Sequence, residues 1–261
     1  MHSHVQAQGT SFEMIVALLL IAMVSLYPFA AIRTNRKYKE WPVYRYVFWV
    51  TGVFSIGVAL TGPLAEFAHN NFKGHMVTHL LIGMLAPLLF VFATPMTLLL
   101  RTLKVTTARK VTRVLKSRLL QFLTNPVTAT VLNIGGLYVL YTTDLYMLMH
   151  QSLVLYGLIH LHVFLAGYLF TLSIIYVDVT PHRYSYMYRA SVLILAIAGH
   201  KILSKYIYAN PPNGVPRTDA EAGSMLMYYG GDLIELAIII FFCYQWYKST
   251  APRFTNSLYK T

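Results

Sequence analysis

The sequence predicts an all-α, polytopic membrane protein in which seven transmembrane helices form one bundle. Composition supports this prediction, since 56% of the 261 residues are hydrophobic and only 11% are charged, against roughly 25% charged residues in ordinary soluble domains. The mean hydropathy of +0.53 agrees. The apolar residues are also gathered into runs of the length, about 20 residues, that a helix needs to cross ~30 Å of hydrocarbon.

Seven such runs divide the chain into successive predicted spans. They lie near 12–32, 43–62, 75–100, 126–143, 152–176, 189–207 and 224–246. Residues 12–247 are therefore predicted to be a single membrane domain, between an extracellular tail of residues 1–11 and a cytoplasmic tail of residues 248–261. The tail 1–11 lacks the basic n-region of a secretory signal, and the sequence assigns no role to its His2 and His4.

The distribution of basic residues indicates the orientation. Clusters of Lys and Arg follow spans one, three and seven and flank span six, whereas the alternate loops hold only Lys73 and Arg217. Because short cytoplasmic loops carry an excess of Lys and Arg, the N-terminus is predicted outside and the C-terminus in the cytoplasm. The net charge of +12 then reflects loop charge and not nucleic-acid binding. Residues 102–122 are predicted to form a cytoplasmic amphipathic helix. Its basic residues would contact the anionic lipids of the inner leaflet, or would simply be solvated.

The clearest functional signal is a histidine pair at the start of the third span. His75 and His79 are four residues apart, so on a helix they lie on one face, about one turn from each other. Glu66 and His69 come just before them. Two imidazoles in this arrangement, entering from the aqueous side, are more readily explained by metal or haem ligation than by packing.

Further ionisable side chains occur deep within later spans. His160 lies in span five and His200 in span six, while Asp232 and Glu235 lie three apart in span seven. Ionisable groups in lipid are costly and usually face the bundle interior. Each of these four residues is therefore a candidate for a functional site, either as a ligand or as a neighbour that orients one. An ion pair between Lys201 and Asp232 is the structural alternative.

Methionines near the outer ends of the predicted helices indicate the kind of metal. They are Met76, Met147, Met149, Met225 and Met227, and His150 directly follows Met149. Soft thioether ligands select Cu(I), while imidazole accepts copper, zinc or iron. The mixture favours copper, as Cu+. Each methionine could instead be a packing residue, because methionine commonly fills gaps in apolar cores. His150 could likewise be an interfacial histidine and not a ligand.

Two segments of the sequence resemble the CtaG-like family of membrane cytochrome c oxidase assembly factors. The first has a His-Met-x-x-His start, an Ala-Pro, and a Pro-x-Thr-Leu close. The second has a characteristic histidine followed by spaced aromatic residues, a glycine and an aspartate; Ile159 stands where the family often has Glu. The matching residues are His75, Met76, His79, Ala86, Pro87, Pro95, Thr97 and Leu98, then His160, Phe164, Gly167, Phe170 and Asp178. The resemblance covers most of residues 45–246.

The resemblance implies a non-catalytic, multi-pass accessory protein of the bacterial plasma membrane. Its partners would be the lipid bilayer and cytochrome c oxidase subunits, with no nucleic acid. In that role the chain would capture or deliver copper at the outer membrane face for haem–copper oxidase biogenesis. His75 and His79 would bind the ion, with a third ligand from His160, His200 or a methionine.

Two other functions stay open on the sequence. One is a haem-binding redox or haem-transfer protein, in which His79 and His160 on different helices ligate one haem. The other is a metal or proton transporter built on the deep ionisable residues. Those residues are His160, His200, Asp232 and Glu235.

Overall fold

The computed structural model describes the backbone of residues 2–251 and the side chains of residues 14–251. Within these residues it contains helices, turns and loops and no strand, which confirms the all-α prediction. We count helical segments that continue without a break as one helix. The helices are α1 (His2–Asn35), α2 (Val43–Leu60), α3 (Gly62–Asn70), α4 (Phe72–Ala93), α5 (Pro95–Thr102), α6 (Val105–Leu115), α7 (Arg118–Leu123), α8 (126–142), α9 (Leu145–Met149), α10 (Leu153–Ile174), α11 (Tyr186–Ala209) and α12 (Arg217–Thr250).

Six of these helices are long and apolar enough to cross a membrane: α1, α2, α4, α10, α11 and α12. They coincide with six of the seven predicted spans, so the prediction of a multi-pass membrane protein is supported. The fourth predicted span corresponds to α8, which is shorter than the other six and is interrupted by a wider π turn at Val131–Gly135. Its status as a seventh span stays a prediction.

Helix α4 is the centre of the bundle. Within its span 72% of the residues are buried, against 17–39% in the other five long helices. Helices α2, α10 and α12 pack directly against it. The contact with α10 is especially close, because a Cβ atom added to Gly167 would lie 2.1 Å from the carbonyl oxygen of Gly83. Small residues of this kind let membrane helices approach to backbone contact.

The third predicted span, 75–100, ends earlier than expected. Thr94 has left-handed backbone angles, φ 54° and ψ 56°, and α4 stops before it. Pro95 lacks an N–H and disfavours helical geometry in the residue before it, so it starts the new helix α5. The carboxylate of Asp178 accepts hydrogen bonds from the backbone N–H groups of Met96 and Thr97, both at 2.8 Å. The Pro-x-Thr-Leu motif is therefore a helix start that is capped from a distant part of the chain.

The basic segment 102–122 also differs from its prediction as one helix. It forms α6 and α7, which are separated by a turn at Lys116 and Ser117. None of the side chains of α6 or α7 is buried. Apolar side chains such as Val114 and Phe122 are each 62% exposed, as expected of an amphipathic segment that packs against little of its own protein.

Candidate metal site

The predicted ligands fall into two groups, which lie at successive depths in the bundle. We call the first the outer group; it consists of His69, His75, His150 and His160. The ring centroids of His69 and His150 are 5.3 Å apart, and that of His75 lies 6.3 Å from His150 and 6.2 Å from His160. Helices α3, α4 and α10, with the turn after α9, bring these four rings together.

Tyrosine hydroxyls and backbone carbonyls orient the rings of the outer group. His75 Nε2 lies 3.0 Å from the hydroxyl of Tyr141. The Nδ1 atom of His160 lies 2.8 Å from the Tyr156 carbonyl oxygen, and His150 Nδ1 makes the same kind of contact, at 2.9 Å, with the Tyr146 carbonyl. A carbonyl can only accept, so Nδ1 carries the proton in both rings and Nε2 carries the lone pair. Metal-binding histidines are commonly held in one tautomer in this way.

His150 is ready to accept a cation at neutral pH. Burial lowers its pKa below the usual value of 6.5, and the neighbouring His69 acts in the same direction, while the hydrogen bond to Tyr146 acts against them. A histidine must be neutral to ligate a metal. His150 is half-buried and His69 is exposed, so this part of the outer group is open to solvent.

We call the second set the inner group; it consists of His79, His200 and Glu235. All three are buried, with 5%, 2% and 7% of their surface exposed. The ring centroids of His79 and His200 are 6.0 Å apart, and His200 Nδ1 lies 3.0 Å from Glu235 Oε1 without the alignment of a hydrogen bond. Both ring nitrogens of both histidines lack a hydrogen-bond partner among the described residues. Buried polar atoms without a partner are rare and costly. Nδ1 of His200 has Glu235 beside it, and the other three nitrogens together indicate a ligand.

A small cavity of ≈ 30 Å³ adjoins the inner group. Gly83 and Met84 line it from a π turn in α4 (Leu80–Leu85), and Asn133 and Ile134 line it from the π turn in α8. Single π turns within α-helices occur frequently at functional sites. Since a water needs roughly 10–15 Å³ of such space, the cavity has room for an ion or a water and no room for a haem.

Glycines make space for the imidazoles of the inner group. A Cβ atom added to Gly231 would lie 2.7 Å from His200 Cε1, and one added to Gly83 would lie 3.2 Å from His79 Nδ1. Such distances are shorter than ordinary van der Waals contact. The backbones of α12 and α4 therefore come as close to the two rings as glycine allows.

The structure does not bring the four predicted ligands His75, His79, His160 and His200 to one point. In the described part of the chain, no three His, Cys, Asp or Glu side chains already converge on a metal-binding geometry. The pair His75 and His79 instead divides between the two groups. Both are buried in the bundle, and not at its aqueous edge as the sequence suggested.

The remaining predicted residues lie around these groups. Glu66 is exposed, and Met76 is fully buried in an apolar cluster with Met149 and Met227. Asp232 forms an ion pair with Lys201, whose ammonium also lies 4.2 Å from the ring centroid of Tyr228. We therefore leave Asp232 out of the ligand set.

Three residues at the site follow no pattern in the sequence: Tyr141, Tyr146 and Met84. Tyr141 and Tyr146 pack around His75, and the Tyr146 and His75 ring centroids are 5.0 Å apart. Tyrosine and methionine are frequent in apolar helices, so only their position in the fold distinguishes them. Met84 lies five residues after His79, and the π turn between them brings both side chains to the same cavity.

Comparison with known proteins identifies the family. The family model described as cytochrome c oxidase caa3 assembly factor (Caa3_CtaG) matches residues 25–249, which include both groups. The chain belongs to this family. The resemblance seen in the sequence is thus confirmed, and the Caa3_CtaG match covers the helices that carry every candidate ligand.

Several curated proteins that are similar to this chain are longer than it is. It is 29% identical over 200 residues to an uncharacterized protein of Mycobacterium leprae, covering 72% of this chain and 30% of the relative. It is 34% identical over 183 residues to uncharacterized proteins of Mycobacterium bovis and Mycobacterium tuberculosis, covering 66% of this chain and 27% of each relative. The chain thus spans less than a third of their length. No solved structure matches it.

Proposed function

We propose that this cytochrome c oxidase assembly factor captures or delivers Cu+ for biogenesis of a haem–copper oxidase. It would act as a non-catalytic protein of the bacterial plasma membrane, with α8 as a seventh span, the N-terminus outside and the C-terminus in the cytoplasm. Oxidase subunits would be its partners. The observation that supports copper handling is the inner group, where two buried imidazoles have no other hydrogen-bond partner among the described residues.

With Met84 at the adjoining cavity, the inner group suits Cu+ better than a divalent ion. Imidazole accepts several metals, while a thioether selects Cu(I) and harder ions prefer sets made of carboxylates and carbonyls. Charge supports the same choice. Histidines that ligate a metal are neutral, so the carboxylate of Glu235 is what offsets the charge of an ion bound here. A monovalent ion then gives a site with no net charge, while a divalent ion leaves one uncompensated charge in the bundle interior.

The distance between the two imidazoles also fits a shared ion. At a metal–nitrogen distance of ~2.0–2.1 Å, two rings that bind one ion from opposite sides have centroids roughly 6 Å apart. The observed separation of His79 and His200 is 6.0 Å. Met84 lines the adjoining cavity and is a candidate third ligand. A shell of so few ligands lets the histidines of the oxidase take the ion over.

The haem alternative is not favoured. A haem between His79 and His160 needs a space for the macrocycle, and the cavity beside the inner group measures only ≈ 30 Å³. An absorption spectrum of the purified protein checks this directly, since a Soret band would support haem and contradict the proposal.

The test of the proposed function is copper binding by a glutamine double variant. Purified protein is titrated with Cu+ under anaerobic, reducing conditions, and metal per chain is measured. His79→Gln combined with His200→Gln is expected to reduce binding from about one copper per chain to near zero, because both nitrogen ligands are lost. Glutamine is used because both histidines are buried and alanine would open a cavity.

His162→Gln is the matched control. His162 is an exposed histidine on α10, and its loss is expected to leave copper binding unchanged. In cells, the double variant is expected to lower the activity of the client oxidase at normal abundance of the assembly factor. Wild-type copper stoichiometry in the double variant would refute the proposal.

A further inference from the structure

The outer and inner groups form a continuous series of imidazoles that leads from solvent into the bundle. Exposure falls along the series, from exposed His69 and half-buried His150 to His75, 4% exposed, and His200, 2% exposed. Successive ring centroids in the outer group are 5.3 to 6.3 Å apart. His75 and His79 are one helical turn apart on α4, about 6 Å along its axis, and link the two groups.

The cavity beside the inner group has Asn133 and Thr171 as its other polar side chains, and α4, α11 and α12 carry no ionisable side chain directly beyond it. The residues of α4 that follow His79, residues 80–93, include no titratable side chain, and the same is true of residues 190–199 in α11. In α12, residues 236–242 beyond Glu235 are also all apolar. Buried apolar side chains from these helices and α10 line the cavity and form the layer beyond it. They include Leu88, Phe92, Phe170, Ile174, Leu193 and Ile238.

We propose that Cu+ enters and leaves the inner group through a single port formed by His69 and His150, and that the chain holds the ion without passing it across the membrane. This inference rests on the proposed function, and it assigns His69 and His150 a role in transfer and not in the final site. His75 is the next ligand inward. Its Nε2 is engaged by the Tyr141 hydroxyl, which is displaced as the ion passes.

A port of this kind has a kinetic signature. Groups that lie on the path but outside the final site lower the barrier for entry and for exit alike. Their loss therefore slows both rates and leaves the dissociation constant unchanged. Loss of a group in the final site has the opposite pattern, since it weakens binding chiefly through faster release.

The experiment compares a port variant with an inner-group variant. Uptake is measured by stopped flow from a coloured Cu+–chelator complex, and release is measured with excess chelator. His69→Gln combined with His150→Gln is expected to slow both rates at least about tenfold, which corresponds to ~1.4 kcal/mol on each barrier, with stoichiometry and dissociation constant kept. Glu235→Gln is expected to raise the dissociation constant with little change in the uptake rate, and His162→Gln is expected to behave as wild type.

Each outcome discriminates. The port proposal would be refuted if the port variant had wild-type rates. It would also be refuted if the dissociation constant of that variant changed as much as in Glu235→Gln. Neither result would contradict the proposed function. A wild-type chain that binds no Cu+ would overturn both. In sealed vesicles that hold trapped chelator, reconstituted protein is expected to bind Cu+ without colouring the lumen; accumulation inside would refute the one-ended pathway and support the transporter alternative.

Discussion

Asp178 shows how one buried carboxylate can explain two parts of a family motif. It is 4% exposed and binds the first N–H groups of α5, more than 80 residues away in sequence. It also accepts from the Thr97 hydroxyl. A negative charge at a helix N-terminus is favourable for the macrodipole. These hydrogen bonds show that Asp178 caps the helix that begins at Pro95. Its role is therefore structural, and it is not part of the metal site.

Replacement of Asp178 is expected to destabilise the protein without removing a copper ligand. Asp178→Ala leaves two backbone N–H groups of α5 without their acceptor, and hydrogen bonds to charged groups contribute about 1.5–3 kcal/mol each. We expect the free energy of unfolding to fall by roughly 3 kcal/mol or more, measured by denaturant unfolding in detergent. Glu40→Ala, at an exposed carboxylate, is the control. An unchanged free energy of unfolding in Asp178→Ala would contradict this account.

At the scale of helices, the approach of α10 to α4 sets the geometry of both histidine groups. The two backbones touch where Gly167 faces Gly83, and Gly83 lines the cavity together with His79. Any increase in the distance between these helices moves His160 relative to His75, and moves the wall of the cavity as well.

Gly167→Ala tests this contact. The added methyl group meets a backbone carbonyl that cannot rotate away, so the helices must separate. Overpacking of this kind lowers the free energy of unfolding by ~1–3 kcal/mol. We expect a decrease near the upper end of this range, together with weaker Cu+ binding. Gly135→Ala is the matched control, because its new Cβ would meet nothing closer than 3.7 Å. Thermal unfolding and copper titration of the two variants should differ clearly; equal behaviour would show that the contact is not tight.

At the scale of the whole molecule, the open end of the histidine series should face outside the cell. The basic residues after α1, on α6 and after α12 predict this orientation. In a Cys243→Ser background, Asn70→Cys beside the port is expected to react with a membrane-impermeant thiol reagent in intact cells. Thr107→Cys on α6 is expected to react only after the cells are opened. Both positions are exposed in the structure, so accessibility depends on the side of the membrane alone. Labelling of position 107 in intact cells would reverse the orientation and place the port inside.

The composition, the long helices and the candidate histidines and carboxylates could be predicted from the sequence, because these depend on local patterns. The apolar runs located six long helices, and the histidine spacing pointed to His75 and His79. It could not show that these two histidines divide between two groups, since this depends on how α10, α11 and α12 pack around α4. It also could not place Asp178, whose partners on α5 are remote in the chain. The end of the third span was predictable in principle from Pro95, but the apolar run continued past it.

The two π turns have a consequence for how this protein can change in evolution. A π turn contains one residue more than an α turn, and each residue corresponds to about 100° of rotation around a helix. Deleting one residue anywhere in Leu80–Leu85 would restore regular α geometry and swing His75 and His79 away from the helices that now surround them. We therefore expect the length of this stretch to be constrained in addition to its residues Gly83 and Met84, so that single-residue insertions and deletions are eliminated there.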